Sequence, residues 1–420
     1  MRVLVIGSGA REHAICWRLK SSLRVKEIFC APGNPGIASV ATCVPVGVSA
    51  VDELLSVASE RGVDLTIVGP EAALAVGVVD AFEAKGLRIV GPSQVAAQLE
   101  TSKAFAKEVM VAAGVPTADY KVFTSRADVE EFCAKKGAPL VLKADGLASG
   151  KGVFVIKDTR EFAEAIETLF GSLQATQVVV EDFLEGVEVS CIFACNGHDA
   201  IPLAPAHDYK RLADNDEGPN TGGMGSVCPT PRISDSDLAW IRTHCALPIV
   251  ETMRARGTPF KGFLYAGLMV SSTEPRERGI KVLEYNTRLG DPECQSIMVR
   301  LTSDPVSLYE WMSGSRVEAP KLEWSWKVAT CVVIASDGYP EAPAKGDMIT
   351  GLELASLIPN TVVFHASTMK KDGSTIVSGG GRTLSVVGIG DSVADARALA
   401  YKSVDVIQLR GRRVRRDIGL

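Results

Sequence analysis

The chain is 420 residues long, more than a single hydrophobic core ordinarily serves, so roughly two to four domains are expected. Its apolar content of 46% and mixed charges are those of an ordinary globular protein. A net charge of −5 excludes a general nucleic-acid binder, which carries a basic field, and no apolar run approaches the ~20 residues that span a bilayer.

The opening Met1-Arg2-Val3-Leu4-Val5-Ile6-Gly7 reads as a buried strand entering a glycine turn, not as a signal peptide. The ten cysteines are scattered and form no C-x-x-C pair. Cys191 and Cys195 fall on one face of an expected strand and pack as small hydrophobes. A reduced, cytoplasmic protein without disulfides is the expectation.

Over the first hundred residues short apolar runs alternate with helical stretches. Strands are expected at Val3–Ile6, Glu27–Ala31, Leu65–Val68 and Arg88–Val90, with helices near 12–20, 50–61, 72–85 and 93–100. This alternation predicts a parallel sheet covered by helices. Each strand runs into a glycine- or proline-bearing turn, and ligands bind at such carboxyl ends. Gly7-x-Gly9 invites a dinucleotide reading, but Glu12 stands where the third glycine belongs and would repel a pyrophosphate. Gly9-Ala10-Arg11-Glu12-His13 better suits a small phosphorylated ligand, with Arg11 as its fork; a tight turn and a capped helix is the alternative.

From about 120 the pattern changes. Strands are expected at Leu140–Lys143, Val153–Lys157 and Val178–Phe183, with a helix near 160–170. Asp145-Gly146-Leu147-Ala148-Ser149-Gly150-Lys151-Gly152 joins the first two as the tip of an antiparallel hairpin. It is no Walker loop, since a strand follows it. Yet Gly146, Gly150 and Gly152 let backbone N–H groups approach an anion, and Lys143 precedes them. A plain Gly/Ser turn is the competing reading. Glu181 to Glu188 leaves one strand and enters another, a geometry that can serve adenine and ribose but is also a common strand–turn–strand.

Glu284 and Asn286 lie two apart on a strand, so their oxygens leave one face as hard ligands suited to Mg²⁺. Arg288, Gly290 and Asp291 follow in a turn; a charged strand end is the alternative. The polar loop 207–226 carries Asp208, suited to an amine, and Lys210 and Arg211, suited to an anion. Polar loops of this length in compact domains are functional or disordered. His13 and His207 read as structural or solvated. The last block has expected strands near 328–335, 361–365 and 382–389 and a helix near 392–406. Its terminal arginines, 410, 412, 413, 415 and 416, read as a solvated cluster, with a phosphate or partner contact as the minor alternative.

Taken in order, these pieces resemble the phosphoribosylamine–glycine ligases: the Arg-Glu-His start, Ala31-Pro32-Gly33-Asn34, Val68-Gly69-Pro70-Glu71, Lys143-Ala144-Asp145-Gly146, Gly218–Gly225, Arg288–Glu293 and Arg416-Asp417-Ile418-Gly419. The resemblance covers essentially the whole chain. It implies a multidomain α/β and α+β fold: an N-terminal parallel-sheet domain (1–100), an ATP-grasp core (101–120 and 190–326) with an inserted lid (121–189), and a mixed C-terminal domain (327–420). It also implies ligation of glycine to 5-phosphoribosylamine at ATP's expense, through glycyl phosphate, by a cytoplasmic monomer. Lys103, Lys143, Gly146, Gly150, Gly152, Glu181, Phe183, Leu184 and Glu188 become the ATP site, and Glu284 and Asn286 the Mg²⁺ (or Mn²⁺) ligands. Gly9, Arg11, Asn34, Glu71, Asp208, Asn220, Thr221 and Gly222 become substrate contacts, and Arg288, Asp291, Lys210 and Arg211 the catalytic set. Tyr209 stands where many relatives have histidine and is given no catalytic role.

Overall fold

The computed structural model describes residues 1–147, 152–271, 273 and 279–420. Strands β1 (Arg2–Gly7), β2 (Glu27–Pro32), β3 (Thr42–Cys43), β4 (Leu65–Val68) and β5 (Ile89–Val90) form a parallel sheet in the order β3-β2-β1-β4-β5. Val3–Ile6 is wholly buried, as befits a central parallel strand covered on both faces. The sheet order reverses at β1, so the crevice lies beyond Gly7. The helix expected over 72–85 is two pieces, Glu71–Ala75 and Val78–Ala84, split where Gly77 takes a left-handed φ of 78°. Near 93–100 only Gln98–Thr101 is helical, followed by Lys103–Ala112, whose cap Ser102 accepts from Phe105 N.

The second sheet comprises β6 (Tyr120–Phe123), β7 (Leu140–Ala144), β8 (Val153–Ile156) and β9 (Val178–Asp182), ordered β6-β9-β7-β8 with all pairs antiparallel. The expected hairpin pairs Lys143 with Val153; its tip residues 148–151, Gly150 among them, lie outside the described residues. A helix at Arg126–Lys136 was not expected. Only Val129 and Cys133 of it are buried, too few to make a periodic stripe.

The next strands are β10 (Val187–Asn196), β11 (Ala200–Pro202), β12 (His207–Asp208), β13 (Arg211–Ala213), β14 (Glu217–Asn220) and β15 (Gly225–Cys228). They are followed by β16 (Lys261–Val270), β17 (Ile280–Asn286), β18 (Val328–Ala335), β19 (Thr361–His365), β20 (Thr368–Lys371), β21 (Thr375–Ser378) and β22 (Arg382–Gly390). An antiparallel sheet β11-β10-β16-β17 makes the middle of the molecule. The C-terminal sheet runs β12-β15-β18-β22-β19. Thus β12 and β15, either side of the polar loop, hydrogen-bond into the C-terminal sheet, across the expected boundary near 326. The loop itself contains the hairpin β13–β14.

Helix Ala10–Lys20 is locked to the C-terminal sheet through His13. This residue is buried, its Nδ1 accepts from His365 N (2.9 Å), and its ring meets Phe364 edge-on. Burial, and then the neighbouring His365, hold the His13 pKa down to about 3, and burial holds His365 down to about 4. Both imidazoles are therefore neutral in the native state, whereas the unfolded chain takes up protons as pH falls through 6.5. Stability should accordingly drop between pH 7 and 5, approaching a slope of about 1.4 kcal/mol per pH unit for each of the two histidines once pH is below the unfolded value. Denaturant unfolding across that range checks this: His13→Asn, whose Oδ1 can replace Nδ1 as acceptor, should show a shallower slope. A slope equal to that of the parent chain would refute the assignment. Among the described residues no helix is long and apolar enough to cross a membrane.

Candidate active site

A cavity of about 660 Å³ lies between the β6–β9 sheet and the central sheet, and reaches the turn 287–293 and the loop 207–223. One register shift positions much of it. Gly267 pairs with Glu284 and Leu268 with Val282, leaving Leu283 as an extra residue. Ile280 and Val282 face the core before this bulge and Tyr285 after it. Without the shift, Glu284 would share the buried face of Val282; with it, Glu284 and Asn286 both turn to the cavity. Burial opposes charge on Glu284, but Lys210, Lys143 and Lys103 surround it and hold its carboxyl below the usual range. A carboxylate oxygen beside an amide fits Mg²⁺, which takes one or two protein ligands and fills its shell with phosphate and water.

The lysines come from three elements. Lys143, within β7, reaches Glu181 Oε1 (2.7 Å) and donates to Leu283 O (3.1 Å). Lys107 takes the other oxygen of Glu181 (2.9 Å) and donates to Thr117 Oγ1 (2.7 Å). Glu181 is thus the buried counter-charge of two lysines. Burial lowers the Lys107 pKa to about 8, with Glu181 working against it. Lys103 donates to Gly146 O (2.9 Å), while Asp145 accepts from Ser102 Oγ and Ala104 N (both 3.1 Å). Asp145, at the head of the glycine-rich tip, therefore anchors the hairpin to the start of helix Lys103–Ala112. Gly152, Phe183 and Leu184 line the same chamber, with Met110, Val155 and Met269 as apolar walls. Glu188 pairs with Lys210, and Lys210 lies 3.7 Å from Glu284.

At the other end Arg288 is held between Glu100 (2.7 Å) and Glu71 (3.2 Å), and the two carboxylates keep it charged against burial. Asp291 is flanked by Arg382 (3.4 Å) and accepts from Gln295 (2.8 Å). Arg382 also donates to the carbonyls of Gly222 (2.6 Å) and Asp291 (2.5 Å), tying the polar loop to the turn. Thr221 Oγ1 donates to Lys210 O (2.8 Å) and accepts from Gly223 N (3.0 Å), closing that loop on itself. Asp208 Oδ1 is buried and, among the described residues, has no hydrogen-bond partner, which leaves an acceptor open to a substrate amine. Burial, then Glu293, push its carboxyl well above the usual range.

The glycines of the N-terminal turn serve a residue of the chain itself. A Cβ at Gly7 or Gly69 would meet the Glu12 side chain at 2.3 or 2.1 Å. Glu12 accepts from Gly9 N (2.6 Å) and Arg11 Nε (2.7 Å), occupying the place that a dinucleotide's pyrophosphate takes elsewhere. Arg11 reaches the cavity but also donates to Leu289 O (3.1 Å).

The structure gathers most expected residues into this chamber, Glu71, Asn220, Thr221 and Gly222 included, but not all. Gly9 and Asn34 lie outside its lining; Asn34 spends its amide on Ser8 O and His365 O (2.8 Å each) and on Ile37 N (2.9 Å). Arg211 closes the hairpin through Gly218 O (2.8 Å) and lines a neighbouring cleft of about 630 Å³. Sequence reasoning missed Glu100, Lys107, Tyr265 and Arg382, and gave Glu293 no role. Of these, only Glu293 stood within a recognised motif; it accepts from Ser190 Oγ (2.9 Å) behind Asp208.

A small antiparallel sheet set against a central antiparallel sheet, with lysines and an acid–amide pair in the chamber between them, is the ATP-grasp architecture. The chain matches the phosphoribosylglycinamide synthetase N domain over residues 1–100, its ATP-grasp (A) domain over 101–294 and its C domain over 329–420. It belongs to that family. It is 43% identical to the phosphoribosylamine–glycine ligase of Ralstonia nicotianae, covering 100% of this chain and 99% of the relative. Against that of Xanthomonas campestris it is 45% identical, covering 100% and 97%. The crystal structure of the Thermotoga maritima phosphoribosylamine–glycine ligase superposes with a TM-score of 0.85 at 33% identity over the whole of both chains. The biotin carboxylase domain of Hydrogenobacter thermophilus 2-oxoglutarate carboxylase shares the fold, with a TM-score of 0.73 at 16% identity, covering 98% and 91%.

Proposed function

We propose that the chain ligates glycine to 5-phosphoribosylamine with ATP, forming glycinamide ribonucleotide, ADP and phosphate through glycyl phosphate, as a cytoplasmic monomer of purine synthesis. The carrying observation is one chamber in which Glu284 and Asn286, with Lys103, Lys143 and Lys210 around them, face the Arg288–Asp291 turn and the open acceptor Asp208. Full-length likeness to phosphoribosylamine–glycine ligases supports the choice of substrates. Residues 121–189 act as the lid on a core of 101–120 and 190–326, between terminal domains 1–100 and 327–420.

In this reading the purine lies between Phe183, Leu184 and the methionine wall, and Glu188 turns from Lys210 to the ribose hydroxyls. Lys103 and Lys143 neutralise the phosphates, and the backbone of Gly146 and Gly152 approaches them closely. Glu284 and Asn286 would hold Mg²⁺ (or Mn²⁺), which when bound supplies charge neutralisation on the β- and γ-phosphate oxygens. Arg288 orients the glycine carboxylate, one oxygen of which attacks the γ-phosphorus as ADP leaves. The amine of phosphoribosylamine, held near Asp208, then attacks the acyl carbon and expels phosphate. Lys210, freed from Glu188, and Arg382 stabilise the anion that develops. Such transfer needs positioning and charge, not a covalent enzyme intermediate.

Glycine bearing ¹⁸O in its carboxylate should therefore pass one labelled oxygen to inorganic phosphate per turnover, with ADP formed only when glycine is present. Mass spectrometry of the phosphate reads this directly. AMP formation, or unlabelled phosphate during productive turnover, would show that the acyl phosphate is not formed.

A further inference from the structure

The terminal arginines do not behave alike. Arg410, Arg413 and Arg416 are at least half exposed and pair with Asp347, Asp337 and Asp405. Arg412 donates to the carbonyls of Val404 and Ile407. Arg415 departs from the expected solvated cluster: its side chain is 1% exposed. Its guanidinium binds Asp216 (2.7 Å) and both oxygens of Asp417 (2.6 and 2.8 Å), and donates to Arg211 O (3.1 Å). It also lies over the ring of Tyr209, 5.1 Å from the centroid.

All these loop contacts fall within 209–216, and the backbone beside Arg415 adds more. Arg416 N donates to Asp214 Oδ1 (2.7 Å), Asn215 N to Asp417 Oδ2 (2.9 Å), and Gly419 N to the Tyr209 hydroxyl (3.0 Å). Asn215 and Asp216 have left-handed φ of 60° and 54°, a conformation that asparagine and aspartate adopt more readily than other side chains, and the tail hydrogen-bonds both residues in it. Tyr209 stands between Asp208 and Lys210, two residues that face the cavity. Its backbone is fixed to β15 through Gly225 O and Met224 N, and its ring is gripped by the tail.

We propose that Arg415, acting with Asp417, is a positioning residue for the substrate reaction: it braces the loop 209–216 from outside and so sets where Lys210 and Asp208 stand in the cavity. The proposal rests on the ligase reading for its kinetic consequence, though not for its structural one. Arg415→Met should keep the KM for ATP near that of the parent. It should raise the KM for glycine or phosphoribosylamine and lower kcat, together on the order of tenfold or more, as misplaced groups do. Hydrogen exchange across 209–217 should quicken in the same variant, a readout that needs no turnover and survives failure of the activity assignment. Arg415→Lys keeps the charge without the fork and should recover part of the loss.

If Arg415→Met fails to fold, Asp216→Asn carries the test. It removes only the loop's side of the clamp, at a residue 69% exposed, and should give the same kinetic split, smaller in size. Unchanged exchange across 209–217 in whichever variant folds would overturn the brace. Equal KM increases for ATP and the other substrates would also overturn it, by pointing to general loosening of the protein.

Discussion

Glu284→Gln should lower kcat by about 10²–10³-fold while leaving the melting temperature close to that of the parent, as losses of a single charge-stabilising contact do. The carboxylate stays ionised because Lys210, Lys143, Lys103 and Arg288 together outweigh its burial. Glutamine keeps the volume and one oxygen but removes the charge that a hard divalent ion prefers. The Mg²⁺ concentration giving half-maximal rate should rise with it. Structural damage should be slight, because Lys210 retains Glu188 and Lys143 retains Glu181. A magnesium titration beside a thermal melt separates the two roles. Unchanged turnover throughout the titration would remove Glu284 from the metal site, and a melt lowered in step with the activity would make it structural.

Sequence reading reached furthest where chemistry and contiguity coincide. Val3–Ile6 and Leu65–Val68 are legible because parallel strands covered on both faces must be unbroken apolar runs. Glu284 and Asn286 are legible as a pair because a strand's alternation carries both oxygens to one side. That they face the cavity rather than the core depends on the bulge at Leu283, which nothing in Val282-Leu283-Glu284 announces. The two-residue β3 and the helix Arg126–Lys136 escaped because neither has enough buried residues to make a pattern. Single residues far apart in the chain were the least visible. Lys107 looks like a surface lysine until Glu181 and Thr117 are beside it, and Arg382 is one arginine at a strand start until Gly222 and Asp291 converge on it. Arg415, read among its exposed neighbours, stands apart once Asp216 and Asp417 are beside it.

Removing Glu100 should be the most destabilising change in the site, about 3–5 kcal/mol for Glu100→Ala. Its side chain is 5% exposed, and it performs three tasks: an ion pair to Arg288 (2.7 Å) and acceptance from Thr287 N (2.7 Å) and Thr287 Oγ1 (3.1 Å). Alanine leaves the guanidinium with Glu71 as its one paired carboxylate among the described residues and strands a buried amide and hydroxyl, which costs more than the lost attraction itself. Burial already holds the Glu100 carboxyl above the usual range, Arg288 pulling it back and Glu71 pushing it up. Truncation, not neutralisation, should therefore carry most of the effect. Glu100→Gln, whose Oε1 can still accept from Thr287, should cost distinctly less. Glu71→Ala should cost about 1 kcal/mol or less, because that carboxylate is 34% exposed and its contact is 3.2 Å long. Activity should fall in all three, since each loosens the guanidinium proposed to orient the glycine carboxylate. Urea unfolding of the three variants gives the order directly. A Glu100→Ala protein within 1 kcal/mol of the parent, or one more stable than Glu71→Ala, would mean that Arg288 is held by something other than this buried pair.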